Sequence, residues 1–405
     1  MSATLDPVVA RAPRKRPAIL GGEPAFADFV YYTRPRTPDR VRFAELLDGV
    51  FESRQFTNDG SLVRELQRRL AARLGVDWCA LVSNGTTALE LAFRALDLEG
   101  EVITTPFTFP ATVHAIEWSG LVPVFCDVDP ETYDLDPERA AELVSDRTSA
   151  LVPVHVFGNP CDVVALERLA RRRGLRLVYD AAHAFGVSVH GRAIGTWGDA
   201  SILSFHATKL FHTAEGGAVV GADPRLLERV AALRNFAIRS EDDMAGVGIN
   251  GKMSELHAAL GLALFDEIDD EIAERRRLRA RYLEWFAGVE GLVPQRAAPG
   301  SEPNCAYLAI EIDPAAFGLS RDDLWRALLV ENIAARRYFW PLCSANPAYR
   351  DLPSAAPERL PKAERIASRN LCLPLYGDLG TDAVDRIAGA LLALRDAAPR
   401  VRARL

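Results

Sequence analysis

Between positions 62 and 74 apolar residues recur at three- and four-residue intervals, and the run stops at Gly75, so the spacing predicts a helix there. The short apolar run at 79–83 predicts a strand, and helical spacing returns over 87–96. Strand-like runs follow at 102–104, 123–128, 150–156, 176–179, 201–205 and 218–220, and helical stretches at 137–144 and 163–173 separate several of them. Strands alternating with helices of crossover length indicate an α/β domain with a mostly parallel central sheet flanked by helices. Around 267–290 the texture becomes charged and helical, which reads as a solvated helix linking two domains. A strand at 306–312 and helices at 321–330 and 382–395 then indicate a smaller α+β C-terminal domain. The expected organisation is a flexible tail over 1–20, a large domain over 21–270 and a small domain over 271–405.

Composition narrows the class of function. A length of 405 residues suits two cores better than one, and a net charge of −7 argues against a general nucleic-acid or membrane-surface binder. A local basic pocket for a small anion is still compatible with that balance. The six cysteines show no paired or metal-ligand spacing, so they read as thiols of a reducing compartment, and no metal site is expected. The basic, proline-containing N-terminal segment lacks the apolar core of a secretory signal, and no apolar run approaches a membrane span. The expected location is cytoplasmic.

Charge type is more informative than charge balance. Of 48 basic residues only Lys15, Lys209, Lys252 and Lys362 are lysines, and Lys209 sits in the mostly uncharged stretch Ser204-Phe-His-Ala-Thr-Lys209. Arginine replaces lysine in most surface roles but cannot deprotonate and add to a carbonyl carbon. A survivor of genome-wide arginine bias would look the same, so Lys209 alone decides nothing. Three other patterns accompany it. Ser83-Asn-Gly-Thr-Thr87 lies between a strand and a helix, where Gly85 permits close approach and free amides favour a phosphate, although such turns also serve as plain caps. Asp180 closes an apolar strand, at the edge where α/β sheets place ligands, and a buried carboxylate there needs a donor such as a protonated pyridine nitrogen. His183, three residues on, is by itself an ordinary structural histidine. Phe109, in the aromatic loop after 102–104, is either core or a stacking surface for a flat heterocycle. Ser204, beside Lys209, offers a hydroxyl to a phosphate. An amine, an acid for a ring nitrogen, phosphate donors and a stacking ring are together what pyridoxal 5′-phosphate (PLP) requires.

Ser83–Leu89, Phe109, Asp180–Gly186 and Ser204–Lys209 with Glu215-Gly-Gly217 resemble the motifs of the DegT/DnrJ/EryC1/StrS family of PLP-dependent sugar aminotransferases. The resemblance runs from about Gly21 to the C-terminus and implies the fold-type-I architecture. His183, the His-Ala-Thr-Lys context and Asn250-Gly-Lys-Met-Ser-Glu255 are most similar to the branch that aminates C4 of dTDP-4-keto-6-deoxyglucose, in aminosugar formation for glycosylated natural products such as antibiotics. It implies that Lys209 bonds the cofactor aldehyde, Asp180 partners the pyridine nitrogen, His183 meets the phenolic oxygen and Phe109 stacks on the ring. Thr86, Thr87 and Ser204 would hold the phosphate, and Asn235 would reach the phosphate of a neighbouring subunit, which makes the protein a homodimer. Asn58 and Lys252 fall in segments bordering the sugar-nucleotide pocket, and L-glutamate is the implied amino donor. Two positions depart from the family pattern: Ala237 replaces a common glycine, and Ser344 stands where a histidine bordering the substrate is frequent. Dehydratase relatives carry histidine at the lysine position, so Lys209 argues against that reaction. A regulatory PLP- or sugar-nucleotide-binding protein is the remaining alternative, and no DNA-binding module accompanies the chain. Position C3 and another nucleotide-linked keto sugar also stay open.

Overall fold

The structure, a computed structural model, describes residues 15–405. Seven strands form the central sheet: β1 (Cys79–Val82), β2 (Glu101–Thr104), β3 (Val122–Phe125), β4 (Thr148–Val152), β5 (Arg176–Asp180), β6 (Ala200–Ser204) and β7 (Gly217–Val220). Their spatial order is β1-β7-β6-β5-β4-β2-β3. Only β7 runs antiparallel to its neighbours, and the other pairs are parallel. Every residue of β1 and β7 is buried, because helices cover both faces and leave no side of these strands for polar residues.

On one face, α2 (Ser61–Leu74) and α5 (Glu255–Phe265) bury Val63, Leu66, Leu70 and Leu262 against Leu81, Leu203 and Ala218, and Leu46 of α1 (Arg40–Ser53) packs on the same cluster. On the other, α3 (Gly85–Ala95) and α4 (Pro110–Trp118) bury Ala88, Leu91, Ala92 and Ile116 against Val82, Val152 and Ile202. Residues alternating along one strand thus serve two cores, and the apolar runs of the sequence follow from that. The helix expected at 87–96 starts two residues earlier, since Asn84 caps it by accepting the Thr87 amide at 2.8 Å. Helix α4, preceded in the chain by Phe109, has no counterpart among the expected elements: it is short, opens on Pro110 and carries little periodic contrast.

The long charged helix α6 (Ile268–Phe286) joins two cores. Ile268 and Ile272 pack with the central sheet, whereas Leu278, Tyr282 and Phe286 pack with a C-terminal cluster. That cluster surrounds an antiparallel sheet of β8 (Leu292–Pro294), β9 (Leu308–Ile312) and β10 (Asn370–Leu373), covered by α7 (Arg321–Val330) and α8 (Thr381–Asp396). Of the segment expected as a tail, residues 1–14 lie outside the described residues, and Ala18–Leu20 form a 3-10 turn. This N-terminal arm is fastened by the buried carboxylate of Glu331, which accepts the amides of Ala18 (2.7 Å) and Ala25 (2.9 Å). Val30–Tyr31 then pairs in parallel with Ile333–Ala334, which delivers Tyr32 to the cleft between the cores.

Candidate active site

Three chain segments far apart in sequence meet at one edge of the central sheet. Gly217, at the start of β7, lies opposite Val82 at the end of β1 and Ser204 at the end of β6. The parallel strand β5 ends beside them at Asp180, in register with Ile202. Ligands bind along such a carboxyl edge because the loops leaving it are free to form a cavity.

The Ser83–Thr87 turn leads from β1 into α3. The first amides of a helix have no partner within it and present a positive end to an anion. Asn84 caps one of them, and the Ser83 hydroxyl bonds the Thr87 hydroxyl at 3.2 Å. Gly85 is required by the approach of β6: a Cβ there would lie 2.9 Å from the Ser204 Cβ. The turn and Ser204 therefore face the same space, and Ser83, Gly85, Thr86, Thr87 and Ser204 all line one cavity of about 570 Å³.

Asp180, His183, Phe109 and Lys209 line that same cavity. Asp180 is buried, its Oδ2 accepting from the Thr112 hydroxyl (2.8 Å) and its Oδ1 from the Ala182 amide (3.0 Å). Burial pushes its pKa up, while these two bonds and the Lys209 charge oppose the rise. Burial also brings the Lys209 amine down to about 8, against the pull of Asp180 in the other direction. An appreciable fraction of the amine is thus neutral and nucleophilic near neutral pH. His183 Nδ1 accepts the Phe157 amide at 3.2 Å, so the neutral ring carries its proton on Nε2 and offers a donor there. Burial, followed by the nearby Lys209 charge, holds its pKa well below the ordinary histidine range and keeps the ring neutral. Phe109 is half exposed, with its ring available to the cavity.

Aromatic side chains from both cores close the cavity. Phe157, His183 and Phe339 form a cluster of nearly parallel rings, with Phe157 6.3 Å from His183 (5°) and 5.4 Å from Phe339 (11°), and those two 6.4 Å apart (7°). Tyr32 of the N-terminal arm meets Tyr338 hydroxyl to hydroxyl at 3.1 Å, and both rings line the cavity. The sequence reading missed Tyr32, Thr108, Thr112, Tyr338 and Phe339. Their one available signal is that Thr108 and Thr112 follow the strand β2 by a few residues; the others have no local pattern.

Asn235, Lys252 and Asn58 are not among the residues lining the Lys209 cavity. Lys252 Nζ donates to Asn235 Oδ1 at 2.6 Å, and Asn235 pairs with Asn250 through an isolated bridge. The segment adjoins the Ser83–Thr87 turn, since Gly251 accepts the Ser83 amide (2.8 Å) and Lys252 pairs with Val82. Asn58, exposed and in the left-handed region at φ 64°, precedes Asp59, which accepts from the buried Arg234 at 2.8 Å. Asn235 and Lys252 thus adjoin the turn, while Asn58 is linked to their segment through its neighbour Asp59 and Arg234. Ala237 and its neighbour Phe236 are both left-handed (φ 56° and 58°), the conformation in which the family's glycine is unstrained. Ser344 is buried.

In chemical terms the cavity offers an amine for a carbonyl, a carboxylate and an imidazole N–H on one wall, and an anion-binding turn at the end. The sequence profile of the DegT/DnrJ/EryC1/StrS aminotransferase family matches residues 39–392. Over 366 residues, 90% of this chain and 99% of the relative, the chain is 38% identical to the dTDP-4-amino-4,6-dideoxy-D-glucose transaminase of Shigella dysenteriae. It is 30% identical over 344 residues to GDP-perosamine synthase of Escherichia coli O157:H7, covering 84% of this chain and 92% of that one. Among solved structures it resembles DesI in the presence of its TDP-sugar product, with a TM-score of 0.89 and 41% identity over 95% of this chain and 97% of that one.

Proposed function

The chain belongs to the DegT/DnrJ/EryC1/StrS aminotransferase family, and we propose that it is a PLP-dependent sugar aminotransferase moving an amino group from L-glutamate to C4 of dTDP-4-keto-6-deoxy-D-glucose. The observation that carries this reading is the single cavity holding Lys209, Asp180, His183 and the Ser83–Thr87 turn. The residues fit the cofactor: Asp180 is a buried carboxylate, and Gly85 keeps the turn clear of a side chain that would meet Ser204. When bound, PLP supplies a conjugated ring that accepts the electron pair released at the donor's α-carbon.

Everything else is done by side chains. Lys209 would hold the cofactor through its amine until the donor's amine takes its place. The freed, partly neutral Lys209 amine would then be the general base and acid that moves the donor's α-proton. Asp180 would hold a proton on the pyridine nitrogen, and His183, with its Nδ1 occupied by the Phe157 amide, would offer its Nε2–H to the phenolic oxygen. Gly85, Thr86, Thr87 and Ser204 would hold the phosphate, and Phe109 would stack on the ring. The keto sugar receives the amino group by the same proton movements in reverse. Asn235 completes the phosphate site from a second subunit, with Asn58 and Lys252 bordering the sugar nucleotide. On this reading the enzyme serves aminosugar biosynthesis in the cytoplasm.

Incubating the purified protein with PLP, L-glutamate and a panel of dTDP- and UDP-linked 3- and 4-keto sugars tests the reading. The expected product is the 4-amino-4,6-dideoxyglucose nucleotide, identified by mass and NMR, and amination of a 3-keto sugar instead would correct the regiochemistry. Lys209→Arg keeps the charge and removes the nucleophile, so turnover should disappear although the protein folds. Normal turnover by that variant would sink the mechanism.

A further inference from the structure

Helix α4 carries a hydroxyl that nothing in the proposed chemistry uses directly. Thr112 is fully buried, and its Oγ1 donates to Asp180 Oδ2 at 2.8 Å. A threonine hydroxyl has one proton, and here it is spent on the carboxylate. The 2.8 Å contact between Thr112 Oγ1 and Thr108 Oγ1 must then run the other way, with Thr108 donating. The two contacts make a directed chain, Thr108 O–H to Thr112 O–H to Asp180 carboxylate. An ionised Asp180 can only accept, and that fixes this polarity. Valine has nearly the same shape as threonine and would fill this buried position without an unpaired hydroxyl to satisfy. The hydroxyl is therefore accounted for by the carboxylate, not by packing.

Resting on the function proposed above, we infer that Thr108 and Thr112 are positioning residues that keep Asp180 ionised and oriented, and through it keep the cofactor's pyridine nitrogen protonated. Among the described residues, the partners of the Asp180 carboxylate are the Thr112 hydroxyl and the Ala182 amide. Losing one of two bonds at a buried anion raises the proton affinity of the carboxylate and draws the shared proton from the ring nitrogen toward it. The other titratable groups lining the cavity with Asp180 include Lys209, whose charge favours the ionised acid, and His183, which is kept neutral. The chain also ties the acid to the opposite wall. Thr108 immediately precedes Phe109, and its carbonyl accepts the Cys343 thiol at 3.3 Å, while the Cys343 amide bonds Pro106 at 3.1 Å. The loop carrying the stacking ring and the acid opposite the ring nitrogen are thus parts of one hydrogen-bonded unit.

The test uses holoenzyme reconstituted with PLP labelled with ¹⁵N in the ring. In Thr112→Val the pyridine ¹⁵N resonance should move from the protonated toward the neutral position, and single-turnover reaction with glutamate should slow by about tenfold or more. Thr112→Ser restores the hydroxyl and should restore both, whereas a role in packing alone would be rescued by valine and not by serine. Thr108→Val removes only the outer link and should produce a smaller shift in the same direction. An unchanged ¹⁵N resonance in Thr112→Val overturns the inference. Should Thr112→Val fail to bind PLP, Thr108→Val decides: a shift supports the chain and its absence refutes it. The wild-type protein separates the two levels, because absence of the visible band of lysine-bound PLP would defeat the proposed function itself.

Discussion

An ammonium group in the wall of a protein cavity destabilises the fold when no full counter-charge reaches it. Lys209 is such a group, its pKa brought down to about 8 chiefly by burial. The sign of the linkage follows from proton counts. Below pH 8 folded and unfolded chains both carry the proton, and the cost of holding the charge is fully present. Between about 8 and the ordinary lysine value of 10.5 the unfolded chain binds more protons, so stability rises with pH. Replacing Lys209 by Met should therefore stabilise the cofactor-free protein at pH 7, by on the order of 2 kcal/mol given partial solvent access. The gain should shrink as the pH approaches 10.5. Urea midpoints of the two cofactor-free proteins at pH 7 and pH 10 give the comparison. A gain independent of pH would mean that the charge of Lys209 is not what the fold resists.

The elements that bring these residues together differ in how visible they are in the chain. Lys209, Asp180 and the Ser83–Thr87 turn each sit at a strand end, where a short apolar run meets an unusual polar residue, and this contrast is local. Tyr32 and Tyr338 make their contact across 306 positions, and no window of sequence contains both. Thr112 is hidden for another reason: a threonine in a short helix is unremarkable until its partner, 68 residues on, is placed beside it. Glu255, within the motif 250–255, shows the same limit. Helix α2 begins after Gly60, which has no side chain to cap it, and the Glu255 carboxylate of α5 accepts the amides of Leu62 (2.8 Å) and Val63 (3.3 Å) instead. Gly60 must stay small, because a Cβ there would lie 2.4 Å from the Glu255 carboxyl carbon. Glu255→Ala should cost about 2–3 kcal/mol by leaving two helix-start amides without their acceptor, and Glu255→Gln about 1 kcal/mol, since an amide oxygen still accepts. Denaturation midpoints with an unchanged slope would verify the order of the two variants. Equal stability of Glu255→Ala and the wild type would show that α2 needs no cap from α5.

At the scale of the whole molecule, the segments around Asn235 and Glu255 expose several large apolar side chains. Phe51, Phe56, Phe236, Met244, Val247 and Leu256 are all exposed, Met244 and Val247 by 74% and 79%. Phe51 and Phe56 meet at 6.0 Å, and the Phe56 carbonyl accepts the Glu255 amide, so this part of the surface is contiguous with α5. Apolar surface gathered beside a polar cluster is what a second copy of the chain would cover, and a two-fold dimer would use the same patch on both subunits. Asn235 lies at this surface with its oxygen occupied by Lys252, which leaves its amide hydrogens as the group to offer an anion. If those hydrogens serve the partner's phosphate, the defects of Lys209→Arg and Asn235→Ala fall in different sites of a mixed dimer. One site of that dimer then carries both defects and the other carries neither. Random reassortment makes half the dimers mixed, so two crippled proteins, unfolded and refolded together, should regain about a quarter of wild-type turnover. Were Asn235 to act within its own subunit, every site would hold one defect and co-refolding would recover nothing. The same quarter of sites should also show tight PLP retention after gel filtration, which separates true complementation from a general gain in folding.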